Sequence, residues 1–206
     1  IHDGDTFYCG GFMEVSGSII NCHEHSGHGT VTVKEGLIQS CNPTMMQIAA
    51  KLGGVKIAKY EALFGFGNRT GIDLPGEEAG LTIGEKMTVI DAACNSFGQN
   101  INVNMVQMAA AFSSLVNGGN YYQPHIVKRI EKSTGEVVKT IEPNLVRQTV
   151  TSETSQLLRT YLRAGVDEGL ARKSGVAGYA IGGKTGTAQK QPREDKKWVV
   201  SYIGCA

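Results

Sequence analysis

The chain has 206 residues, of which 41% are hydrophobic and 19% are charged, and its formal net charge at pH 7 is +1. These values are typical of one globular domain, and the absence of a basic stripe argues against a nucleic-acid-binding protein. No apolar run reaches the length of a membrane-spanning helix, and these residues contain no signal sequence.

Residues 1–30 are rich in Gly, Cys and His, and their apolar residues follow no clear period. This composition predicts a loop with short pieces of strand. Cys9 and Cys22 are separated by a loop, and Cys22 is followed by His25 and His28 at the spacing of metal ligands. Zinc takes about four such ligands in a tetrahedron. We therefore predict a structural zinc ion bound by Cys9, Cys22, His25 and His28.

Other interpretations of residues 1–30 remain open. His23, Asp3 or Asp5 could replace one of the two histidine ligands. Cys9 and Cys22 could instead form a disulfide, which suits a protein outside the cytoplasm, and the histidines could be solvated residues of a flexible loop. The remaining cysteines lie in apolar sequence, and we expect them to be buried thiols: Cys41, Cys94 and Cys205.

The apolar period of helices appears in several later segments. Residues 42–52 and 57–63 predict two helices. A third helix is expected to follow Asn104, its N-cap, and to end before Gly118. Residues 152–166 predict a fourth, with its large apolar residues on one face.

Strand patterns follow the third predicted helix and return at the end of the chain. Residues 125–131 and 136–141 predict a β-hairpin around a Ser-Thr-Gly turn. Residues 179–190 and 197–204 predict two adjacent antiparallel strands, joined by a charged loop at residues 192–196.

Ser40 and Asn42 form a Ser-x-Asn element directly before Pro43. Taken alone, this stretch could be a helix N-cap followed by proline in the first turn. The same spacing also occurs in serine acyltransferases that recognise penicillin. The later part of the chain decides between these two interpretations.

A Lys-Thr-Gly-Thr run, residues 184–187, follows a short apolar segment. Lys184 offers a cation, and Thr185 and Thr187 offer hydroxyls that can bind a carboxylate. Gly186 has no side chain, so a substrate backbone can lie against the strand there. A Lys-Thr-Gly triplet alone is a weak signal, but it follows Ser-x-Asn in the order expected for acyltransferases.

These motifs resemble those of class B penicillin-binding proteins. Two runs between them also resemble this family: FGFG with TGIDLPGE at residues 64–77, and QMAAAF with NGG at residues 107–119. The resemblance covers the chain from about residue 29 to the end. It implies an α+β fold of the penicillin-binding and serine β-lactamase type, with an antiparallel sheet flanked by helices. Residues 1–206 would belong to one transpeptidase domain, with residues 1–30 as a Cys/His-rich loop inside it.

The resemblance implies a D,D-transpeptidase that cross-links peptidoglycan stem peptides and needs no cofactor for catalysis. A serine would attack the stem peptide, and the amine of a second stem peptide would resolve the acyl-enzyme. Ser40 would relay a proton to the leaving amine, and Asn42 would hydrogen-bond the substrate amide. Lys184 would attract the carboxylate terminus, which Thr185 and Thr187 would hold. β-Lactams would acylate the same nucleophile.

The nucleophile of these enzymes is the serine of a Ser-x-x-Lys motif. No serine of the 206 residues is followed by lysine three positions later. We therefore expect this motif upstream of Ile1, and a final strand and helix downstream of Ala206. The domain would then be incomplete at both ends, and the 206 residues alone should be inactive.

The Cys…Cys…Gly-His-Gly loop before Ser-Cys-Asn-Pro is similar to that of sporulation-type members of class B. This similarity favours spore cortex synthesis over a division-type role. A D,D-carboxypeptidase, a serine β-lactamase and a non-catalytic β-lactam-binding module share the fold and remain alternatives. The family also implies a single membrane anchor, a place on the extracytoplasmic face of the cell membrane, and a membrane glycosyltransferase partner.

Overall fold

The computed structural model describes residues 1–189 and 197–206, which contain six α-helices and ten β-strands. The helices are α1 Val33–Ile38, α2 Asn42–Leu52, α3 Gly54–Leu63, α4 Val89–Asn95, α5 Met105–Val116 and α6 Ser152–Asp167. The strands are β1 Thr6–Cys9, β2 Phe12–Val15, β3 Ser18–Asn21, β4 Gly29–Thr32, β5 Asn120–Tyr122, β6 Arg129–Glu131, β7 Val137–Thr140, β8 Leu145–Gln148, β9 Gly182–Gln189 and β10 Trp198–Cys205. None of the helices in these ranges has the length and hydropathy needed to cross a membrane.

The chain divides into two compact units. The first unit consists of Ile1–Tyr60, Ile83–Ile101 and Leu157–Ala206, and the second consists of Glu61–Thr82 and Asn102–Gln156. Each unit therefore combines segments that are distant in sequence.

In the first unit, residues 1–32 form four strands, although the sequence pattern predicted mostly loop. The β2–β3 hairpin turns at Ser16 and Gly17, both of which have positive φ. β1 pairs antiparallel with β4, which follows the whole hairpin. Strands of four residues are too short to show a reliable period, and the β1–β4 pairing is set by contacts distant in sequence.

The β2–β3 hairpin packs one face against α2 and α4. This contact forms an apolar core in which Val15, Met46 and Ala93 are buried. Partly buried side chains surround it: Met13, Ile20, Ile90 and Phe97. The core fixes α2 and therefore the residues that precede it, Ser40 and Cys41.

The first unit also contains the antiparallel pair β9–β10 and the C-terminal half of α6. Lys184 is paired with Ile203, Gly186 with Ser201, and the pairing continues without a bulge from Gly182 to Gln189. A regular ladder of this length holds the Lys-Thr-Gly-Thr run in one extended conformation.

The second unit is organised around α5. Asn104 is its N-cap: the side chain accepts a hydrogen bond from the Gln107 N–H at 2.7 Å, and Gln107 Oε1 accepts one from the Asn104 N–H at 2.8 Å. The fully buried Gln107 amide also donates to the carbonyls of Asn68 and Ala79, at 2.7 and 2.8 Å. Gln107 thereby anchors the loop that includes the TGIDLPGE run.

Most predicted elements are confirmed, with shifted ends. The helix over residues 42–52 has the predicted bounds, and the helix after Asn104 runs to Val116. The predicted hairpin strands are shorter, because only β6 and β7 pair. The first C-terminal strand begins at Gly182, three residues later than expected. The predicted charged loop at residues 192–196 lies outside the described residues.

Candidate active site and thiol–imidazole cluster

Ser40 follows the C-terminus of α1, and the end of this helix sets its conformation. The N–H of Ser40 donates to the Leu37 carbonyl at 3.1 Å, and the N–H of Cys41 donates to the Gly36 carbonyl at 2.9 Å. These two bonds define a Schellman motif, in which the residue after the C-cap is left-handed. Ser40 accordingly has a φ of 53°.

Glycine is the usual residue at such a position, because the Cβ of any other residue costs about 1–2 kcal/mol there. Ser40 therefore occupies a strained backbone position next to the start of α2. Strained non-glycine residues of this kind concentrate at functional sites. The geometry supports a role for the Ser40 hydroxyl.

Asn42 is the first residue of α2 and lies two positions after Ser40. Its Nδ2 donates a hydrogen bond to the carbonyl of Asn21, the last residue of β3, at 3.0 Å. A primary amide has two N–H donors and one acceptor oxygen, so this bond leaves one donor and the Oδ1 atom for another group. The β2–β3 hairpin thereby fixes the position of the Asn42 side chain.

Lys184 on β9 contacts Ser40 directly. Its Nζ donates to Ser40 Oγ at 2.9 Å and to the Thr185 carbonyl at 2.8 Å. Burial lowers the pKa of Lys184, and no carboxylate pairs with it in the part of the chain that the structure describes. Its positive charge therefore has no counter-ion among the described residues and can attract an anionic substrate group.

Strand alternation separates the side chains of residues 184–187 into two sets. Thr185 and Thr187 share one face of the β9–β10 ribbon, and Lys184 and Gly186 share the other. The two hydroxyls therefore lie on one side of the strand, as a carboxylate-binding pair requires.

The absence of a side chain at residue 186 has a second explanation, which the sequence did not suggest. A Cβ atom on Gly186 would lie 2.5 Å from the Oγ of its cross-strand partner Ser201. No real Cβ makes so close a contact, so a side chain at residue 186 requires the Ser201 hydroxyl to rotate away from its present position. Only the pairing register, which the sequence does not show, could have identified Ser201.

Three cysteines and one histidine converge next to Ser40. The Sγ atoms of Cys9, Cys22 and Cys41 and a ring nitrogen of His28 all lie within 4.8 Å of one another. His28 Nδ1 is 3.6 Å from the sulfurs of both Cys9 and Cys22. The three cysteines are 1%, 2% and 0% exposed, and His28 is partly exposed, so this thiol–imidazole cluster lies at the edge of the buried core.

The donor set of this cluster fits zinc. Three sulfurs and one imidazole nitrogen are a common structural set, and Zn–S bonds of about 2.3 Å require separations of about 3.7 Å between ligands. Burial raises the pKa of the Cys41 thiol to about 12, so this thiol is protonated at neutral pH unless a cation stabilises the thiolate. None of the five cysteines forms a disulfide, and this includes the pair Cys9 and Cys22.

The cluster differs from the predicted ligand set at one position, where Cys41 stands in place of His25. His25 is exposed, because the chain turns at Gly27, whose N–H donates to the Glu24 carbonyl at 3.1 Å. The backbone carbonyl of His25 faces Gly11, so its side chain lies on the outside of this turn. Cys41 was predicted to be an inert buried thiol, and no spacing rule links it to Cys22. Of the other candidate ligands, His23 borders the cluster, with its Nδ1 3.9 Å from Cys22 Sγ, whereas Asp3 and Asp5 lie outside it.

Comparison with known families agrees with this geometry. The sequence profile described as Penicillin binding protein transpeptidase domain matches residues 1–206. The chain belongs to this family.

Two curated relatives of this transpeptidase-domain family show the degree of similarity. The chain is 41% identical over 209 aligned residues to stage V sporulation protein D of Bacillus subtilis. This alignment covers 98% of the chain and 32% of that protein. It is 30% identical over 197 aligned residues to penicillin-binding protein PbpB of Mycobacterium tuberculosis. This second alignment covers 86% of the chain and 28% of that protein. The chain thus spans about a third of the length of these relatives.

Solved structures of the family share the fold. The D,D-transpeptidase domain of a peptidoglycan glycosyltransferase from Eggerthella lenta matches 99% of the chain and 52% of that structure, with a TM-score of 0.88 and 21% identity. Penicillin-binding protein 3 of Mycobacterium tuberculosis in complex with ampicillin matches 99% of the chain and 48% of that structure, with a TM-score of 0.87 and 25% identity. The predicted family and the predicted α+β transpeptidase fold are confirmed.

Proposed function

We propose that these residues form part of a peptidoglycan D,D-transpeptidase and supply its Ser-x-Asn and Lys-Thr-Gly groups. The observation that carries this proposal is the 2.9 Å hydrogen bond from Lys184 Nζ to Ser40 Oγ. It joins a hydroxyl to an ammonium group without a carboxylate partner among the described residues. This pairing suits proton relay and anion binding in acyl transfer.

The direction of the Lys184–Ser40 hydrogen bond determines what Ser40 can do. Lys184 has no acceptor capacity when charged, so Ser40 Oγ is the acceptor and its own proton points away from Lys184. Ser40 can then donate that proton to the leaving amine of the stem peptide and recover one from the general base. Asn42, held by the Asn21 carbonyl, would hydrogen-bond the substrate amide with its remaining groups.

The substrate carboxylate would bind beside β9. Lys184 supplies the positive charge, and Thr185 and Thr187 supply hydroxyls from one face of the ribbon. The charge-assisted bonds of such a set are about twice as strong as neutral hydrogen bonds. A substrate ending in a free carboxylate, such as a D-Ala–D-Ala stem peptide, matches this arrangement, and so does the carboxylate of a β-lactam.

The covalent step requires a nucleophile that these residues do not contain, because none of their serines belongs to a Ser-x-x-Lys motif. We expect the nucleophile in the longer protein, upstream of Ile1. Its serine would form an ester with the stem-peptide carbonyl and release D-Ala. The amine of a second stem peptide would then attack this ester, form the cross-link and free the serine.

The cellular role follows from similarity to a named relative. The 41% identity to stage V sporulation protein D supports a role in spore cortex synthesis over a division role. The full-length protein would act on the extracytoplasmic face of the membrane, held by a single anchor and working with a membrane glycosyltransferase. The ampicillin and aztreonam complexes of penicillin-binding protein 3 support acylation by β-lactams.

The thiol–imidazole cluster would hold a structural zinc ion through Cys9, Cys22, His28 and Cys41. Zinc would join β1, β3 and β4 to the start of α2, and its binding energy would become local folding energy. Cys41 lies between Ser40 and Asn42, so the ion would also hold the Ser-x-Asn element in place. Catalysis itself needs no metal.

The proposal is tested with the full-length protein, a D-Ala–D-Ala stem peptide and an added amine acceptor. A transpeptidase yields the amide-linked product, whereas a carboxypeptidase yields free acid even when the acceptor is in excess, and a β-lactamase leaves the peptide intact and hydrolyses the penicillin. A non-catalytic β-lactam-binding module would retain a fluorescent penicillin and release no D-Ala. The proposal would be overturned if the wild-type protein formed neither a penicillin adduct nor the amide product.

A further inference from the structure

The C-terminal end of α6 touches both elements that carry the Ser40–Lys184 pair. Gly165, near the end of α6, faces the carbonyl of Gly183, the residue before Lys184 on β9. Gly169, just after α6, faces the carbonyl of Ile38 in the last turn of α1, two residues before Ser40. One helix end therefore supports the two catalytic side chains from behind.

Neither glycine is required by its backbone conformation. Gly165 and Gly169 are both absent from the positions with positive φ, so alanine could adopt either conformation. Gly165 also lies inside a helix, where glycine is among the least favourable residues. Some factor other than conformation must account for the absence of a side chain.

The lack of room for a Cβ atom accounts for glycine at both positions. A Cβ on Gly165 would lie 3.1 Å from the Gly183 carbonyl oxygen, which is tighter than an ordinary contact. A Cβ on Gly169 would lie 2.7 Å from the Ile38 carbonyl oxygen, a distance that requires movement of the backbone. The Leu170 N–H donates to that same Ile38 carbonyl at 3.3 Å, so α1 and the end of α6 are bonded at the point of closest approach.

The surrounding packing transmits such a movement to the catalytic pair. A cavity of only about 10 Å³ lies between these elements, lined by residues of α1, α6 and β9 that include Lys184 itself. A void of this size holds at most one water molecule, so it cannot absorb a displaced strand. An added side chain at residue 165 presses on β9, and one at residue 169 presses on α1 and on the end of α6 itself, where the Gly165 carbonyl oxygen would lie 2.9 Å away.

We propose that Gly165 and Gly169 are positioning residues that set the distance between Lys184 Nζ and Ser40 Oγ; this inference rests on the proposed function. The distance is 2.9 Å, and hydrogen bonds of this kind weaken beyond about 3.2 Å. A displacement of about 0.5 Å in either element is enough to break it. Misplacement of catalytic groups by about 1 Å costs roughly 100-fold in rate.

The experiment compares Gly165→Ala and Gly169→Ala with Gly54→Ala in the full-length protein. Gly54 is the matched control, because its added Cβ would lie 2.9 Å from a backbone carbonyl, that of Met87, which belongs to neither α1 nor β9. Thermal unfolding measures the loss of stability in each variant. Stopped-flow kinetics with a fluorescent penicillin separates the binding constant from the acylation rate constant.

We expect Gly169→Ala to lose the most stability, Gly54→Ala an intermediate amount and Gly165→Ala the least, in the order of their contact distances of 2.7, 2.9 and 3.1 Å. We also expect the acylation rate constant to fall at least tenfold in Gly165→Ala and Gly169→Ala, and to stay within twofold of wild type in Gly54→Ala. Equal acylation in the three variants would overturn the inference. If Gly169→Ala does not fold, Gly165→Ala, which has the milder contact, decides the question.

Crystal structures of the variants test this inference independently of the proposed function. Wild-type protein that reacts with no penicillin would refute the proposed function but leave the distance measurable. The inference predicts an Nζ–Oγ distance above about 3.2 Å in Gly165→Ala or Gly169→Ala, and an unchanged distance in Gly54→Ala. An unchanged distance in all three would refute it whatever the activity.

Discussion

The Nζ of Lys184 and the Oγ of Ser40 are 2.9 Å apart, although 144 positions separate the two residues in the chain. Ser40 is held by the Schellman motif after α1, and Lys184 by the β9–β10 ladder. Both side chains therefore project from ordered backbone. Such preorganisation matters in acyl transfer because the groups need not rearrange as charge develops.

The left-handed conformation of Ser40 leads to a prediction about stability and activity. Ser40→Gly removes a strain of about 1–2 kcal/mol, while glycine adds about 0.5–1 kcal/mol of unfolded-state entropy. The variant should therefore be as stable as wild type, or more stable by up to about 1.5 kcal/mol. It should also lose penicillin acylation. Denaturant unfolding and fluorescent-penicillin labelling of the full-length protein measure the two effects.

Ser16 provides the matched control for Ser40. It is also a serine with positive φ, 51°, but it lies in the β2–β3 turn. Ser16→Gly should change stability in the same direction and leave acylation unchanged. Full acylation in Ser40→Gly would show that the strained serine has no role in the reaction.

The half-buried position of Lys184 leads to a prediction about pH. Burial lowers its pKa from the ordinary value of 10.5, so Lys184 loses its charge at a lower pH than an exposed lysine. Acylation should therefore decline on the alkaline side before pH 10.5 is reached. Lys184→Arg, which keeps its charge at high pH, should move this decline to higher pH if the fold accommodates it.

The lowered pKa of Lys184 also makes the stability of the fold depend on pH. Native Lys184 binds its proton less tightly than the unfolded chain does, so its contribution to stability rises with pH between the native pKa and 10.5. Removal of the charge by Lys184→Met should abolish this part of the pH dependence. A pH–stability profile identical to that of wild type would contradict the assigned burial.

The contact between Gly186 and Ser201 predicts a rescue. Gly186→Ala should destabilise the fold by up to about 1.5 kcal/mol, because the Ser201 hydroxyl must leave its present rotamer. Adding Ser201→Ala should restore most of the loss, because the nearest remaining atom, the Cβ of residue 201, would lie 3.9 Å from the new methyl group. Thermal unfolding of the two single variants and the double variant measures this coupling.

Acylation of the same double variant separates the two explanations of Gly186. If the double variant regains stability but remains slow, the substrate also needs the open strand at residue 186. If it regains both, Ser201 alone explains the glycine. No recovery of stability would mean that the clash lies elsewhere.

Local signals in the sequence predicted the helices well. Residues 42–52 and the helix after Asn104 were predicted correctly because their period, proline and capping residues act within a few positions. The short strand pieces expected in residues 1–30 were confirmed, but their pairing could not be predicted, since β1 pairs with β4, which lies beyond the β2–β3 hairpin in the chain. The resemblance of the motifs assigned Ser40 and Lys184 to one site, but their direct contact was not predicted, because no local rule joins residues so far apart.

The candidate ligands of the predicted zinc site show the same limit of local sequence signals. Spacing identified Cys9, Cys22 and His28, but it could not show that His25 lies on the outer side of a turn. Cys41 comes from a different element, the N-cap of α2. Only the packing of α2 against the N-terminal strands brings its sulfur to the other three ligands.

The thiol–imidazole cluster predicts which substitutions affect metal content. Wild-type protein should contain close to one zinc ion, and Cys41→Ser should lose most of it. The matched control His25→Ala should retain the metal, because the exposed imidazole lies outside the cluster. Elemental analysis of protein purified without chelator measures all three. A metal-free wild type in which Cys9 and Cys22 are oxidised together would contradict the zinc site.

A double-mutant cycle on the acylation rate tests the Ser40–Lys184 pair most directly. The full-length wild type, Ser40→Ala, Lys184→Ala and the double variant are compared with one fluorescent penicillin, and Lys173→Ala serves as an exposed lysine control. Loss of one preorganised donor typically costs about 3–4 kcal/mol in the transition state. If the two residues act as a unit, the double variant should be little slower than the slower single variant. Two losses that add in full, or a Lys184→Ala rate within a few-fold of wild type, would contradict the shared role of Ser40 and Lys184.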